Sequence, residues 1–278
     1  DGTVIYKCDV CSADGSTSTI PHVDAFSHPD HFFIWDGTQK TPVPIVWDRE
    51  GNALTEGIDY TISYPANRTD VGVYELVITF VGNYSGTKTL DFEILPAAAI
   101  TTQPKTAKVK TGTTVKFTVK ATGTGLKYQW QSSSDGKTWK NCSSSSATKA
   151  TFSFTSKTSH SGNYYRCKVT DSAGNVVYTD TVRLYVLGIT EQPVSKTVSK
   201  GKTAKFTVEA TGASKVYPWQ VSTDGGKTWK NCSSSSAKKA TFSFTAKTSH
   251  NGNYYRCRVK DSGGNTVYTN KVKLTVKK

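Results

Sequence analysis

The feature that most constrains this chain is a long internal repeat. The segment WKNCSSSSATKATFSFTSKTSHSGNYYRC at 139–167 returns at 229–257 with three substitutions. Shorter matches, such as KFTVKATG at 116–123 and KFTVEATG at 205–212, extend the repeat over most of the C-terminal part of the sequence. The period is 89 residues before the first tryptophan hairpin and 90 after it, which is the length of a whole domain rather than of a solenoid unit.

Hydrophobic alternation within each repeat indicates β-strands. Val115, Phe117 and Val119 alternate with polar residues, a pattern of period two that predicts a strand with one solvated face. A strand around Trp130 follows, and later a Tyr-x-Cys sequence that ends at Cys167. Short strands in this order are typical of an immunoglobulin-like sandwich. We therefore predict an all-β chain of tandem immunoglobulin-like β-sandwiches preceded by a smaller β domain.

These patterns divide the chain into four segments. Residues 1–26 are predicted to be a partial module containing Cys and His, or a linker, and 27–97 a small β domain of immunoglobulin-like or β-grasp type. Residues 98–187 and 188–278 are the two immunoglobulin-like repeats. No apolar run approaches the roughly 18 residues that a membrane-spanning helix needs, so no membrane span is predicted.

Both parts of the chain carry motifs of a known group of proteins. The repeats contain I-T-x-Q-P, YQWQ, DGGKTW, NYYRC and DSxGN, and as a set these resemble tandem bacterial immunoglobulin-like domains of Gram-positive cell-surface proteins, especially those of gut Clostridia. The stretch 33–94, with LTEGIDYT and GNYSGTKT, resembles a short β repeat domain of clostridial surface proteins. The resemblance implies an extracellular location at the bacterial surface or cell wall, with signal and anchor outside this segment.

Charge is distributed unequally between the two parts. Residues 1–97 carry five Lys or Arg and fourteen Asp or Glu, a net charge of −9, whereas 98–278 carry thirty and seven, a net charge of +23. One interpretation is a basic surface that attracts acidic polymers. The alternative is that outward lysines serve solubility and block pairing at strand edges.

Cysteine positions suggest crosslinks within each repeat. Cys142 and Cys167 are separated by 25 residues, and Cys232 and Cys257 by the same number. Identical spacing favours the pairs Cys142–Cys167 and Cys232–Cys257, and the alternative is four free thiols in the cores. Each bond would stabilise its domain by about 3 kcal/mol in the chain-entropy model.

The N-terminal cysteines raise the question of a metal site. Cys8 and Cys11 have the spacing of a zinc knuckle, and His22 follows. A zinc site at Cys8, Cys11 and His22 is one hypothesis; a Cys8–Cys11 or intermolecular disulfide and free thiols are the others. No other cofactor is predicted.

One motif resembles part of an enzyme. STDGGKTW at 222–229 fits the Asp-box hairpin found in sialidase propellers. We interpret it as a structural turn, because a sialidase also needs several converging arginines and a Tyr–Glu pair, and the chain has six arginines in all. The repeats also contain few acidic residues from which to build a glycosidase pair. We therefore predict that the chain is not an enzyme.

Loops and tyrosines are the candidate binding residues. Sandwich loops often carry binding, and Tyr is a common interface anchor. The candidates are Tyr128, Ser143, Ser144 and Tyr164 in the first repeat, and Tyr217, Ser233, Ser234 and Tyr254 in the second. We expect a host glycoprotein, such as immunoglobulin or mucin, or an acidic glycan as partner, no nucleic acid, and a monomer in isolation. The alternatives are a passive stalk and an accessory region of a secreted enzyme.

Overall fold

The computed structural model describes residues 22–26, 31–48 and 50–278, the first of these ranges by its backbone alone. Within that part, strands joined by turns dominate, and the helices are the 3₁₀ turns Thr158–His160, Ser235–Lys238 and Thr248–His250. None of the helices in the described residues is long and apolar enough to cross a membrane. The chain is all-β, as predicted.

The chain forms two compact units. The first holds the described residues up to Ala99 together with Ala121–Leu126 and Thr170–Val177. The second holds Ile100–Lys120, Lys127–Val169 and Tyr178–Lys278, and thus most of both repeats.

The described part of the N-terminal domain has six strands: β1 His22–Phe26, β2 Phe32–Ile34, β3 Pro44–Trp47, β4 Tyr60–Ser63, β5 Gly72–Phe80 and β6 Thr87–Leu95. Strands β2, β6, β5 and β4 form a sheet in that order, in which β2 runs parallel to β6 and the other pairs are antiparallel. Strands β1 and β3 form a separate antiparallel pair. The alternation of Leu76, Ile78, Phe92 and Ile94 places all four side chains in one buried core, as their spacing predicts.

The first repeat has ten strands: β7 Ala99–Thr102, β8 Ala107–Lys110, β9 Thr114–Thr118, β10 Lys120–Thr122, β11 Lys127–Ser133, β12 Lys140–Asn141, β13 Thr151–Thr155, β14 Tyr164–Thr170, β15 Val176–Tyr178 and β16 Val182–Glu191. The larger sheet runs β12–β11–β14–β16, with β8 parallel to β16. The antiparallel pair β9–β13 packs against it, and Trp130, fully buried, stacks between Phe117 and Phe152 at 6.0 and 5.8 Å.

The second repeat follows with nine strands: β17 Lys196–Ser199, β18 Thr203–Thr207, β19 Glu209–Thr211, β20 Trp219–Ser222, β21 Lys230–Asn231, β22 Thr241–Thr245, β23 Tyr254–Lys260, β24 Thr266–Tyr268 and β25 Val272–Lys277. Its sheets repeat the first arrangement, with Trp219 buried as Trp130 is. Pro218 shortens one strand: β20 begins only at Trp219, and a single bridge, Val216 to Lys260, continues the pairing beyond it. Proline has no N–H to donate to the strand ladder, which accounts for the interruption.

The joint between the repeats is a continuous strand. β16 closes the first sandwich and then pairs with β19 of the second, so the predicted boundary at 187/188 lies within a strand. Leu187 belongs to the core of the second repeat. At Gly188 an added Cβ would lie 2.3 Å from Thr158 Cγ2 of the first repeat. The repeats therefore meet too closely there for any side chain.

The predicted disulfides are not formed. Cys142, Cys167, Cys232 and Cys257 are free thiols. In the second repeat Cys257 lies opposite Trp219 on one neighbouring strand, while the Cys232 amide donates to the Trp219 carbonyl from the other side, at 2.9 Å. Two strand spacings, about 10 Å, thus separate the cysteine backbones, whereas a disulfide requires Cα atoms within about 7 Å. The equal spacing of the cysteines in the two sequences reflects the duplication of the domain and does not indicate that the cysteines are close in space.

Candidate functional site

The Asp-box hairpin at 222–229 is a structural turn, as predicted, and the shorter hairpin at 133–139 of the first repeat is built in the same way. In the first repeat the Asp135 carboxylate accepts the amides of Lys137 and Thr138, each at 2.8 Å, and the Ser133 hydroxyl. These donors hold the pKa of Asp135 well below its usual range, the backbone amides contributing most. Asp224 is held in the same way, chiefly by the hydroxyls of Thr228 and Ser222. Carboxylates engaged like this organise a turn and are not available as general acids.

Each hairpin delivers a tryptophan to the outer face of the larger sheet. In the first repeat the Arg166 guanidinium lies between two rings, 4.3 Å from the centre of Trp139 and 4.2 Å from that of Tyr178. Alternation along β14 puts Arg166 outward, because Cys167 beside it is fully buried. Arginine held between two aromatic faces gains cation–π attraction on both sides. We call Trp139, Arg166 and Tyr178 the first arginine stack.

A polar chain orients this arginine. Its Nε donates to Gln131 Oε1 at 2.9 Å, and Gln131 Nε2 donates in turn to Asn141 Oδ1 at 3.0 Å. Gln131 and Asn141 are directly opposite each other on β11 and β12. The guanidinium is thus fixed by its neighbours on two strands as well as by the two rings.

The second repeat contains the same arrangement. Arg256 lies 4.2 Å from the ring centre of Trp229 and 4.5 Å from that of Tyr268, which together form the second arginine stack. Arg256 Nε donates to Gln220 Oε1 at 2.9 Å, and Gln220 Nε2 to Asn231 Oδ1 at 3.1 Å. Tyr178 and Tyr268 are 46% and 49% exposed, so both stacks are open to a partner.

Two of the predicted tyrosines lie on this same face. Tyr164 packs under Arg183, whose guanidinium is 5.0 Å from the ring centre and 5.1 Å from that of Tyr185. Tyr254 has Lys271 Nζ at 5.1 Å from its ring centre. The face that surrounds each arginine stack is therefore basic and aromatic in both repeats.

The other predicted binding residues lie elsewhere. Tyr217 packs against the core of the second repeat, and burial raises its pKa. Tyr128, at the equivalent position of the first repeat, is half-buried. Ser143, Ser144, Ser233 and Ser234 are exposed, in loops that leave the edge of the larger sheet.

The strand register shows that the serine loops and the outward-facing tyrosines lie at different levels of the sheet. Tyr254 lies opposite Ser222 at one end of β20, whereas Cys232, which precedes Ser233, bonds to Trp219 at the other end. Three residues of strand, about 10 Å, separate the two levels. The serine loops and the outward tyrosines therefore do not form one site.

The predicted zinc site lies outside the described residues. Cys8 and Cys11 fall in that part of the chain, and of His22 only the backbone is described. Among the described side chains, no group of three or more His, Cys, Asp or Glu could hold a metal ion. The zinc hypothesis stays a prediction.

The arginine stacks were missed by the sequence analysis. Alternation in NYYRC indicates that Arg166 points outward, but it says nothing of what lies beside it on neighbouring strands. Trp139 and Tyr178 come from two separate hairpins. The available signal was the return of all three residue types at Trp229, Arg256 and Tyr268.

Comparison with known proteins identifies the repeats. Residues 98–188 and 190–278 each match the family described as "Domain of unknown function (DUF8696)". The chain belongs to this family. No curated protein matches the chain.

Solved structures support the immunoglobulin-like fold. A three-immunoglobulin-domain structure of titin carrying Glu-to-Ala mutations is 13% identical, covers 93% of this chain and 99% of its own, and has a TM-score of 0.53. An I-band fragment of titin is 14% identical with the same coverage and score. At this identity the likeness establishes tandem immunoglobulin-like sandwiches and nothing about ligands.

Proposed function

We propose that the chain is a segment of an extracellular surface protein of a Gram-positive bacterium. The segment binds a host glycoprotein or an acidic glycan. The observation that carries this proposal is the pair of arginine stacks, one on the outer sheet face of each repeat. Trp, Tyr and Arg are the residues most enriched among interface hot spots. The surface location rests on the motif resemblance to clostridial surface proteins.

Charge supports the same proposal. Residues 98–278 carry a net charge of +23. Within the described residues of the repeats, no lysine or arginine lies within 4.0 Å of a carboxylate oxygen. Charge that is not paired within the domain is available to an acidic partner and steers its approach.

Capture by the intact chain tests the proposal. The chain is immobilised and exposed to mucosal secretions and to serum, then washed at low salt and at about 0.15 M salt, where screening acts within about 8 Å. A host glycoprotein or acidic glycan that survives the second wash and competes saturably with soluble chain is the expected result. Retention at low salt alone would contradict a specific binding role.

A passive spacer is the second candidate, and the joint favours it. β16 passes from one sandwich to the other without a break, and Leu187 is buried in the core of the second. Such a joint resists bending. Spin labels at the exposed hairpin positions 137 and 227 would give a narrow distance distribution if the repeats form a stiff rod. A broad distribution would exclude the spacer.

A further inference from the structure

The donors that remain free on each stacked arginine define what it can bind. Rings cover both faces of the Arg166 guanidinium, so a ligand cannot stack on it. Its Nε is already bonded to Gln131. The two Nη groups have no hydrogen-bond partner within the described residues, and they point their N–H bonds in the guanidinium plane. A planar fork of this kind matches an oxyanion approached edge-on.

The positive charge of the stack is also uncompensated. No carboxylate oxygen in the described part of the chain lies within ion-pair distance of Arg166 or Arg256. The neighbours on the same face of β14 and β23 add to the charge, because Lys168 and Arg258 lie two residues further along each strand. An anion bound at either stack would therefore meet a fixed cation that no carboxylate of the described residues pairs within 4.0 Å.

We propose that each arginine stack binds one carboxylate or sulfate group of an acidic polysaccharide through the Nη edge of Arg166 or Arg256. This inference rests on the proposed binding function and names its ligand. The stack holds the guanidinium in place before the ligand arrives, so little side-chain entropy is lost on binding. The exposed edges of Tyr178 and Tyr268 border the anion and offer apolar surface to the sugar ring that carries it.

The duplication of the site favours a polymer over a folded protein as ligand. The two stacks share the same three residue types, the same Gln and the same Asn, with Nε to Gln distances of 2.9 Å in both. A polysaccharide presents the same acidic group many times along its chain, so one molecule can occupy both sites. Linking the two binding events in this way raises the apparent affinity without any new contact.

The test is titration calorimetry of the intact chain with three defined saccharides. A hyaluronan oligosaccharide supplies carboxylates only, a dextran sulfate oligosaccharide sulfates only, and neutral dextran neither. At about 0.15 M salt, the expected result is binding of one or both acidic probes, two sites per chain for the shortest probe, and none for dextran. The two acidic arms show which anion is preferred.

Matched variants locate the site. The double variant Arg166→Gln with Arg256→Gln should weaken binding by about tenfold or more, since it removes charged hydrogen bonds. The control, Lys116→Gln with Lys205→Gln, removes the same charge from exposed positions on the smaller sheet of each repeat. It should weaken binding by less than about threefold, because exposed charges at a distance are screened.

A conservative double substitution separates the effect of the planar Nη donors from that of the positive charge. Arg166→Lys with Arg256→Lys keeps the charge and the aliphatic stem but removes the planar guanidinium, with its Nη donors and the Nε bond to Gln131 or Gln220. We expect it to bind nearly as weakly as the glutamine variant while still unfolding cooperatively on heating. Full affinity in the lysine variant would overturn recognition through the Nη edge.

Two outcomes distinguish failure of this inference from failure of the proposed function. If Lys116→Gln with Lys205→Gln weakens binding as much as Arg166→Gln with Arg256→Gln does, the proposed site is wrong. General electrostatic attraction of acidic polymers would then explain the binding. If the wild-type chain binds no acidic saccharide at about 0.15 M salt but captures a host protein, the polysaccharide site is wrong and the binding function holds.

Discussion

The two repeats are nearly identical over 139–167 and 229–257, and the positions at which they differ along their whole length are informative. The arginine stacks and the residues that orient them are the same in both. Gly188 and Gly263 of the second repeat, in contrast, correspond to Ala99 and Ala173 of the first. An added Cβ at Gly263 would lie 2.6 Å from Lys108 Cβ of the first repeat. Both glycines lie where the first repeat packs against the second. The close contact at this joint explains why glycine stands there in place of the alanine of the first repeat.

Other differences leave the structure unchanged. Ser161 Oγ accepts the amide of Val186 at 2.9 Å in the first repeat, and Asn251 Oδ1 accepts that of Val276 at 2.9 Å in the second. Both side chains accept a hydrogen bond from the equivalent backbone donor. The comparison thus separates substitutions that the joint requires from those that keep a contact by other means.

Leu187→Ala should have the largest effect on the stability of the second repeat. Leu187 is fully buried in the second core, whereas the equivalent residue of the first repeat, Ala98, is already small. Truncation should lower the free energy of unfolding by about 2–5 kcal/mol, from lost burial and the cavity left behind. Urea unfolding followed by tryptophan fluorescence measures it. Val194→Ala, at an exposed site, is the control and should cost less than about 0.5 kcal/mol; equal costs would contradict the role of Leu187.

Gly263→Ala should have the next largest effect. The new methyl group would overlap Lys108 Cβ, and overpacking of this kind costs about 1–3 kcal/mol. The reverse change at the equivalent site, Ala173→Gly, should cost about 1 kcal/mol or less, through the unfolded chain alone. A double-mutant cycle with Lys108→Gly, which removes the clashing atom, should recover most of the loss. No recovery would show that the joint is not the cause.

The part of the fold that the sequence predicts is the part set by local pattern. Alternation placed Val115, Phe117 and Val119 in the core, and the hairpin at 222–229 is the structural turn that its sequence predicts, with Asp224 accepting the Thr228 amide. What failed depended on neighbours distant in sequence. Cys232 and Cys257 lie on either side of Trp219 rather than against each other. Contacts across strands depend on register, and spacing along the chain does not determine register.

The histidines of the 3₁₀ turns should give both repeats the same modest pH dependence. His160 Nδ1 accepts the Lys157 amide at 3.2 Å, and His250 accepts that of Lys247 at the same distance. Burial, with a smaller effect of the nearby lysine, lowers the pKa of each histidine. The unfolded chain therefore binds protons first as pH falls below about 6.5, so stability is complete above that pH and decreases below it.

Melting temperatures between pH 7.5 and 5 measure this dependence. The decrease should be a few degrees at most, since the histidines are only partly buried. His160→Gln with His250→Gln keeps a hydrogen-bond acceptor but cannot be protonated. The melting temperature of this variant should therefore change less between pH 7.5 and 5. An unchanged slope would assign the dependence to other groups.

Reductant should have the smallest effect of all. A disulfide in each repeat would contribute about 3 kcal/mol, and its reduction would lower the melting temperature. With the thiols free, dithiothreitol should leave the melting temperature of the intact chain unchanged. Burial raises the pKa of Cys167 and of Cys257 to about 12, so both should resist thiol reagents near pH 8 until the chain is unfolded. A melting temperature that falls on reduction would mean that the strands can move far enough to join cysteines now separated by Trp219.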